Sequence, residues 1–331
     1  MIESLGLLIT QSTNPFYNLA LEQYLTFHVK QGQCILYLWQ NQNTVVIGKN
    51  QNAWKECRVR ALERDGGRMV RRMSGGGAVY HDMGNLNFTF TVRKEDYHVD
   101  RQLKVILEAV KILGVRAEKT GRNDITVDGR KISGNAFYES DGFCCHHGTL
   151  LLSADKEKMG RYLNASPEKL RSKGIESVRS RVANLSEYCP DVNIRMMEEL
   201  MEKAFSLVYG LPIKRIAEEG LPEGFLRQEE KKFSSWEWNF GKKSDLQYEI
   251  RKRFSWGEIE LQYQVDRGIL AECRIYSDAM EPGWIESLRD SLTGIPYRAG
   301  DIYGALMRLA ERNPDRAGQT EDVKALILDG L

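Results

Sequence analysis

Apolar and polar positions recur along this chain with two distinct periods. Between 100 and 113, Leu103, Ile106, Leu107, Val110 and Leu113 share one stripe, so the spacing predicts an amphipathic helix with Gly114 at its C′ position. Phe16, Leu19, Ala20, Tyr24 and Phe27 follow the same period and predict a helix over 14–29, with Asn14 as N-cap and Pro15 at the first helical position. Short β-prone runs stand at Ile35–Trp39, Thr44–Ile47, Ala78–Tyr80 and Leu86–Val92. Ile125–Val127 and Arg130–Ile132 flank Asp128-Gly129, the strongest short hairpin signal in the chain. Thr149–Leu152 ends another strand, and helices are expected near 155–163 and 195–209.

The pattern then changes. Residues 228–249 are polar and aromatic, with Lys-Lys pairs at 231–232 and 242–243. A domain boundary is expected near 245. Beyond it, Glu258–Val265 and Ile269–Tyr276 alternate around Asp266-Arg267-Gly268, read as a three-residue hairpin turn. Helices near 282–292, 299–311 and 320–329 complete a small α+β domain. The division is therefore 1–245 and 246–331, with no internal repeat.

Composition narrows the function classes. A chain of 331 residues accommodates two domains, and 42% hydrophobic with 28% charged residues is ordinary for a globular protein. A net charge of +1 gives no global pull toward nucleic acid or membrane, so neither is expected as a partner. No apolar run reaches the roughly 18 residues of a membrane span. Met1-Ile2-Glu3-Ser4-Leu5 lacks the basic start of a signal peptide. Six cysteines without a C-x-x-C spacing argue against a disulfide framework or zinc site and point to the cytoplasm.

The richest chemistry lies in Arg71-Arg72-Met73-Ser74-Gly75-Gly76-Gly77-Ala78-Val79-Tyr80-His81-Asp82. Three contiguous glycines allow close backbone approach to a ligand, and the arginines supply forked donors for carboxylate or phosphate oxygens. No Gly-Lys-Ser/Thr follows, and the glycines are not spaced as in a dinucleotide fingerprint. Taken alone, the stretch is equally a tight turn beside solvated arginines. Two further segments shift that balance: Gly121–Ala136, with Asn123, Asp124 and Arg130-Lys131-Ile132-Ser133-Gly134, and Lys173–Leu185, with Arg179, Arg181 and Ala183. Lys131 stands two residues past the Asp128-Gly129 turn, where one ammonium could bridge two anions.

Together these segments resemble the lipoate–protein ligase family. Asn14–Ala20, Leu38–Asn41, Gln51–Cys57, His146–Leu150 and Ser235–Gly241 extend the resemblance, in order, over nearly the whole chain. It implies an α+β catalytic domain, a mixed sheet flanked by helices of the biotin/lipoate ligase type (class II aminoacyl-tRNA synthetase-like), with a small C-terminal accessory domain. It implies ATP-dependent activation of lipoate to lipoyl-AMP, then transfer to a lysine of a lipoyl-domain acceptor, a 2-oxoacid dehydrogenase E2 or the glycine cleavage H protein. Lys131 is the implied catalytic residue. Trp39, Arg71, Ser74, Gly75, Gly76, Gly77, His81 and His147 are the implied lipoate or lipoyl-AMP contacts. Val79, Tyr80, Asn123, Asp124, Lys131, Arg179 and Ala183 are the implied ATP contacts, with Asp124 on Mg²⁺. A monomer is expected.

Three other readings compete. Acyltransferases of the same fold use a cysteine thioester and no ATP, and Cys144 or Cys145 beside His146 could be that nucleophile. A non-catalytic binding module would be favoured by loss of Lys131 or the glycines, and both are present. Biotin ligases carry a different Arg/Gly-rich loop. Adjacent His146 and His147 on a strand point to opposite faces and cannot easily share one ion.

Overall fold

The computed structural model describes residues 1–121, 123–164, 182–241 and 246–328. The chain forms two compact units: Met1–Val46, Trp54–Arg71 and Ala78–Asn239 make one, and Ile47–Ala53, Arg72–Gly77 and Phe240–Leu331 the other. The boundary expected near 245 lies at the edge of residues 242–245, which are outside the described residues.

In the first unit the elements run β1 (Ser4–Ile9), α1 (Pro15–His28), β2 (Gln33–Trp39), β3 (Thr44–Ile47), α2 (Ala53–Glu56), α3 (Val59–Arg64), β4 (Arg68–Arg71), β5 (Val79–His81), β6 (Asn85–Arg93) and α4 (Val99–Ile112). They continue β7 (Glu118–Thr120), β8 (Asp124–Val127), β9 (Arg130–Ser140), β10 (Phe143–Leu151), α5 (Lys156–Tyr162), α6 (Ile194–Tyr209), β11 (Ile213–Arg215), α7 (Glu223–Ser234) and α8 (Trp236–Phe240). Among the described residues an eight-stranded sheet has the order β11-β1-β2-β6-β10-β9-β8-β7, and a smaller one the order β4-β3-β5. β1 is parallel to β11 and β2, whereas the pairs from β2 through to β7 are antiparallel, so the sheet is mixed.

Alternation gives the large sheet two different faces. Leu36, Leu38, Leu86, Phe88, Phe90, Val92 and Leu150 join Leu103, Ile106 and Val110 of α4 and Met197, Met201 and Phe205 of α6 in one buried core. The opposite register of β6 carries Asn87, Thr89 and Thr91, buried but polar. Helix α1 packs on that side, against β2, β6 and β10. Its start is as the sequence predicts: Asn14 Oδ1 accepts from Phe16 N–H at 3.2 Å, with Pro15 at the first helical position. Gly114 follows α4 at φ 90°, a conformation only glycine adopts cheaply.

The second unit contains β12 (Tyr248–Phe254), β13 (Gly257–Asp266), β14 (Ile269–Ser277), α9 (Pro282–Leu292), α10 (Ala299–Arg312) and α11 (Ala317–Leu328). The antiparallel sheet β12-β13-β14 and the helices bury Ile259, Leu261, Ile275, Trp284, Leu288, Ile302, Leu306 and Val323. The expected three-residue turn is corrected to two. Asp266 pairs with Ile269, and Arg267 and Gly268 take φ 48° and 79°, both positive as a type I′ turn requires. The same turn joins β8 to β9 at Asp128-Gly129 and β9 to β10 at Asp141-Gly142. Helix α7 falls in a stretch whose polar composition gave no helical period, and it is held largely by packing on α1.

Candidate active site

Lys131 owes its direction to an irregularity in β9. Opposite β8, Thr126 pairs with Lys131, Ile125 with Ser133 and Asp124 with Gly134, so Ile132 is one residue in excess. Because Asp124 and Thr126 share a face of β8, the bulge brings Lys131 and Gly134 onto that same face. The ammonium lies 2.7 Å from Asp124 Oδ1, and the two side chains are 34% and 37% exposed, open to a ligand. On the other edge of Lys131, its carbonyl accepts from Ala183 N–H at 2.8 Å. Ala183 is fully buried, and Asn184 leads into a turn closed by Glu187. Glu187 binds Arg130 (2.7 Å), Lys156 (2.6 Å) and the Asn184 N–H (2.8 Å). Burial alone would raise its pKa, but the Lys156, Asn184 and Arg130 donors outweigh burial and hold it down to about 2.

Asn123 is part of a brace. Its amide donates to the Asn135 carbonyl at 2.8 Å, and its own carbonyl accepts from Asn135 N–H and Nδ2. Asn135 Oδ1 in turn lies 2.8 Å from His146 Nε2, and His146 Nδ1 lies 3.0 Å from the Gln102 amide. Burial lowers the His146 pKa to about 3, so the ring is neutral and has one donor and one acceptor. Turning the Gln102 amide so that Nε2 donates satisfies both groups at once. His146 therefore supports the hairpin from its core side.

His147 points to the other face, with Lys131 and Trp39. Its Nδ1 lies 2.7 Å from Glu22 Oε1. The same oxygen accepts from Thr89 Oγ1 at 2.7 Å, and Thr89 accepts from Trp39 Nε1 at 3.1 Å. A continuous chain, Trp39–Thr89–Glu22–His147, thus crosses β2, β6, α1 and β10. Glu22 is 1% exposed, so its carboxylate is viable there only because these donors meet it. It was not among the expected site residues; the signal available was a carboxylate on the apolar stripe of α1 between Leu19 and Leu25. On the same face Asn87 Nδ2 and Thr91 Oγ1 are buried without a hydrogen-bond partner among the described residues, as groups awaiting a ligand or water are. His81 lies in β5, its ring 6.1 Å from that of Trp39, and Asn41 Nδ2 donates to its Nδ1 at 3.2 Å. Val79 and Tyr80 of β5 pair with Val46 and Val45. Tyr80 is buried, with its hydroxyl on Asn43 Oδ1 at 3.0 Å, so its side chain belongs to the packing of this unit.

Arg71 ends β4. Its guanidinium donates to the Trp238 carbonyl at 3.0 Å and the Asn239 carbonyl at 2.6 Å, and Trp238 Nε1 donates back to the Arg71 carbonyl. The residues of the glycine loop belong to the second unit. Gly48 and Gly75 let strands of chain pass at contact distance: a β-carbon would stand 2.2 Å from the Gly76 carbonyl oxygen at the former and 2.2 Å from the Ala279 oxygen at the latter. Ser74 is fully buried. Arg179 lies outside the described residues.

The cysteines do not form a nucleophilic site. All six are free thiols. Burial pushes Cys144 up to about 11 and Cys145 well above its ordinary value, so neither is a thiolate at neutral pH. Among the described residues no helix is long and apolar enough to cross a membrane.

Comparison with known proteins agrees with this geometry. Residues 14–206 match the model of the lipoyl protein ligase A/B catalytic domain, and residues 244–326 that of the bacterial lipoate protein ligase C-terminus. A lipoate-protein ligase A of Blochmanniella pennsylvanica (strain BPEN) is 43% identical over 309 residues, 90% of this chain and 91% of the relative. The crystal structure of P. falciparum LipL1 in complex with lipoate matches with TM-score 0.86 and 30% identity over 98% of this chain and 100% of that one. A crystal structure of lipoate-protein ligase A bound with ATP matches with TM-score 0.62 and 27% identity over 73% of this chain and 99% of that one.

Proposed function

This chain belongs to the lipoate–protein ligase family, and from that premise we propose how its own residues carry the reaction. The activity is ATP-dependent: a carboxylate oxygen of lipoate attacks the α-phosphorus, pyrophosphate leaves, and lipoyl-AMP remains. A lysine amine of an acceptor protein then attacks the acyl carbonyl, and AMP departs.

Adenylation asks a protein to hold two anions in line and to stabilise charge on the transferring phosphorus; it asks for no protein nucleophile. Lys131 takes the catalytic role. The single observation that carries this is its ammonium on the bulged hairpin, beside Asp124 and on the sheet face that bears Trp39 and His147. Trp39, His81 and His147 contact lipoate, with Trp39 as a wall of the acyl slot. Arg71, Ser74 and Gly75–Gly77 contact lipoyl-AMP. Val79 and Tyr80 through their backbones, with Asn123, Asp124, Arg179 and Ala183, contact ATP.

Asp124 fits Mg²⁺. It is a hard oxygen donor, partly exposed, and its Oδ1 already accepts a cationic partner in Lys131. The ion would neutralise phosphate charge; phosphate oxygens and water would complete its shell. Freed from that carboxylate, Lys131 would face the substrate anions.

The acceptor amine has an unperturbed pKa of about 10.4 and must lose its proton on arrival. The like charge of Lys131 disfavours the protonated form there. We assign the acceptors to lipoyl domains of 2-oxoacid dehydrogenases and the glycine cleavage H protein, the enzyme to the cytoplasm, where six unpaired thiols persist, and the working form to a monomer.

The test is pyrophosphate release without acceptor, given lipoate, octanoate and biotin in turn. Release is expected with lipoate and not with biotin. No ATP-dependent release from lipoate would overturn the reading.

A further inference from the structure

The face of the large sheet that packs on α1 carries a buried cluster of metal-ligating side chains. Glu22 stands on α1, and Cys145 and His147 lie two residues apart on β10, so both point to the same side. One ligand atom from each, a carboxylate oxygen, the thiol sulfur and an imidazole nitrogen, all fall within 4.8 Å of one another. Among the described residues this is the one such group of three. Glu22 and Cys145 are each 1% exposed and His147 is 8% exposed. The set is drawn from a helix and a strand, so no Cys or His spacing along the chain announces it.

Two observations point to a cation there. The first is charge. The buried Glu22 carboxylate is met by Thr89 Oγ1 and His147 Nδ1, each at 2.7 Å, and no Lys or Arg pairs with it among the described residues. A buried anion is costly unless a cation joins it. A divalent ion on one carboxylate, one thiolate and one neutral imidazole makes a set with no net charge. The second is Thr91. It pairs with Cys145 across β6 and β10, so its hydroxyl stands on the same face as the cluster. Thr91 is wholly buried, and its Oγ1 has no hydrogen-bond partner. A hydroxyl there suits a water held at the fourth position of a three-ligand metal. Thr26, one turn on from Glu22, donates to the Glu22 carbonyl at 2.8 Å and lies against the Cys145 thiol, which fixes helix and strand together at this point.

We propose that Glu22, Cys145 and His147 bind a thiophilic divalent cation, Zn²⁺ by their ligand chemistry, and that this ion excludes lipoate from its slot. Thiolate, imidazole and carboxylate are ordinary zinc donors, whereas Mg²⁺ takes oxygen ligands, so this site is separate from Asp124. Zinc bonds of about 2.0–2.3 Å set neighbouring ligand atoms about 3.3–3.8 Å apart, within reach of small side-chain movements. On binding, the Cys145 S–H bond breaks, its proton goes to water and a Zn–S bond forms. Bonds from zinc to Glu22 and His147 replace the hydrogen bond between them, and nothing is oxidised or reduced. The metal site does not depend on the ligase reading above; the exclusion of lipoate does, because there His147 contacts the acyl chain.

The test uses Co²⁺ as a coloured stand-in for Zn²⁺, added to the full chain without ATP. Wild type should develop a thiolate-to-cobalt charge-transfer band that Zn²⁺ abolishes. Cys145→Ser should lack the band, because a hydroxyl is a poor ligand for a soft metal. Cys144→Ser should keep it, because Cys144 points to the opposite face and belongs to the buried core. In pyrophosphate release with buffered free Zn²⁺, wild type should be inhibited and lipoate should relieve the inhibition. The zinc concentration for half inhibition should rise at least about tenfold in Cys145→Ser, with activity in the absence of zinc retained. No band in wild type, or a band that survives in Cys145→Ser, overturns the site. Inhibition that lipoate does not relieve overturns the exclusion. If Cys145→Ser melts well below wild type, Cys145→Ala, which buries no hydroxyl, takes its place with the same expected losses. Wild type that releases no pyrophosphate from lipoate even without zinc refutes the ligase reading, and the cobalt spectra still decide the metal site.

Discussion

Lys131 lies across Gly134: a β-carbon on that glycine would stand 2.7 Å from the lysine Nζ and 2.8 Å from its Cε. The glycine is thus the floor over which the ammonium reaches Asp124. Gly134→Ala should displace the far end of a flexible side chain, so melting should move by no more than a few degrees. Lipoyl-AMP formation should nonetheless fall at least tenfold. Lys131→Ala, which deletes the charge, should cost on the order of 3 kcal/mol, or about a hundredfold, again with the fold intact. Pyrophosphate release and a thermal melt read both effects. Near wild-type adenylation by Lys131→Ala would remove Lys131 from its role.

Trp39 is 3% exposed and tied by its indole N–H to Thr89. Trp39→Val should open space on the sheet face beside His81 and lose packing worth about 2 kcal/mol or more. Bulkier carboxylic acids should then be accepted while lipoate binds less well. An unchanged substrate range in a ligation assay would make Trp39 ordinary core.

How much of this was legible beforehand follows from where the determinants sit. The hairpin carrying Lys131 was readable, because Asp128-Gly129 specifies its turn locally and both residues have positive φ. The bulge at Ile132 was not, because it is set by register against β8 rather than by composition. Glu22 was passed over because its partners, Thr89 and His147, are 67 and 125 residues away in sequence. The arginine pair looked like two equivalent anion donors. Only tertiary hydrogen bonds separate Arg71, on the Asn239 and Trp238 carbonyls, from Arg72, folded into its own loop. Helix α7 was missed because its amphipathic face is short and polar, and packing on α1 supplies what periodicity did not.

Acid should destabilise the protein in two separable steps. His146 is buried neutral with its pKa lowered to about 3, so the unfolded chain binds its proton first; that stability is present above about 6.5 and is lost as pH falls toward 3. Glu187 is held down to about 2 against an ordinary 4.5, so its contribution is present above 4.5 and fades as pH falls below it. Denaturant unfolding at pH 7, 5.5 and 3.5 should show the first slope flattened in His146→Gln and the second in Glu187→Gln. Parallel profiles for all three proteins would show that neither group controls acid stability.

Cys144→Ser and Cys145→Ser should both retain ATP-dependent ligation, since the activation route runs through a mixed anhydride and both thiols are held protonated by burial. A trapped acyl-enzyme in the wild type, detected by mass spectrometry and absent from either variant, would reverse that conclusion.

Removing residues 246–331 should separate the two chemical stages. The first unit keeps its own core, the Lys131 hairpin, Asp124 and the Trp39–Thr89–Glu22–His147 chain, so it should still melt cooperatively. The glycine loop fares differently. Its residues cluster with the deleted segment, and the Gly76 amide loses the Ala279 carbonyl that now engages it. A loop without that support has to be ordered as lipoate and MgATP come together, and that cost falls on the step that builds the intermediate. A preformed lipoyl-AMP, in contrast, skips that step, and the proposed acyl-chain contacts Trp39, His81 and His147 all belong to the retained first unit. The truncated protein should therefore transfer lipoate from synthetic lipoyl-AMP yet form that intermediate poorly from lipoate and MgATP. One labelling gel with acceptor protein and the two donor mixtures gives the answer. Equal labelling from both would show that the C-terminal residues have no part in adenylation. Labelling from neither, with the melt retained, would place acceptor recognition in them instead.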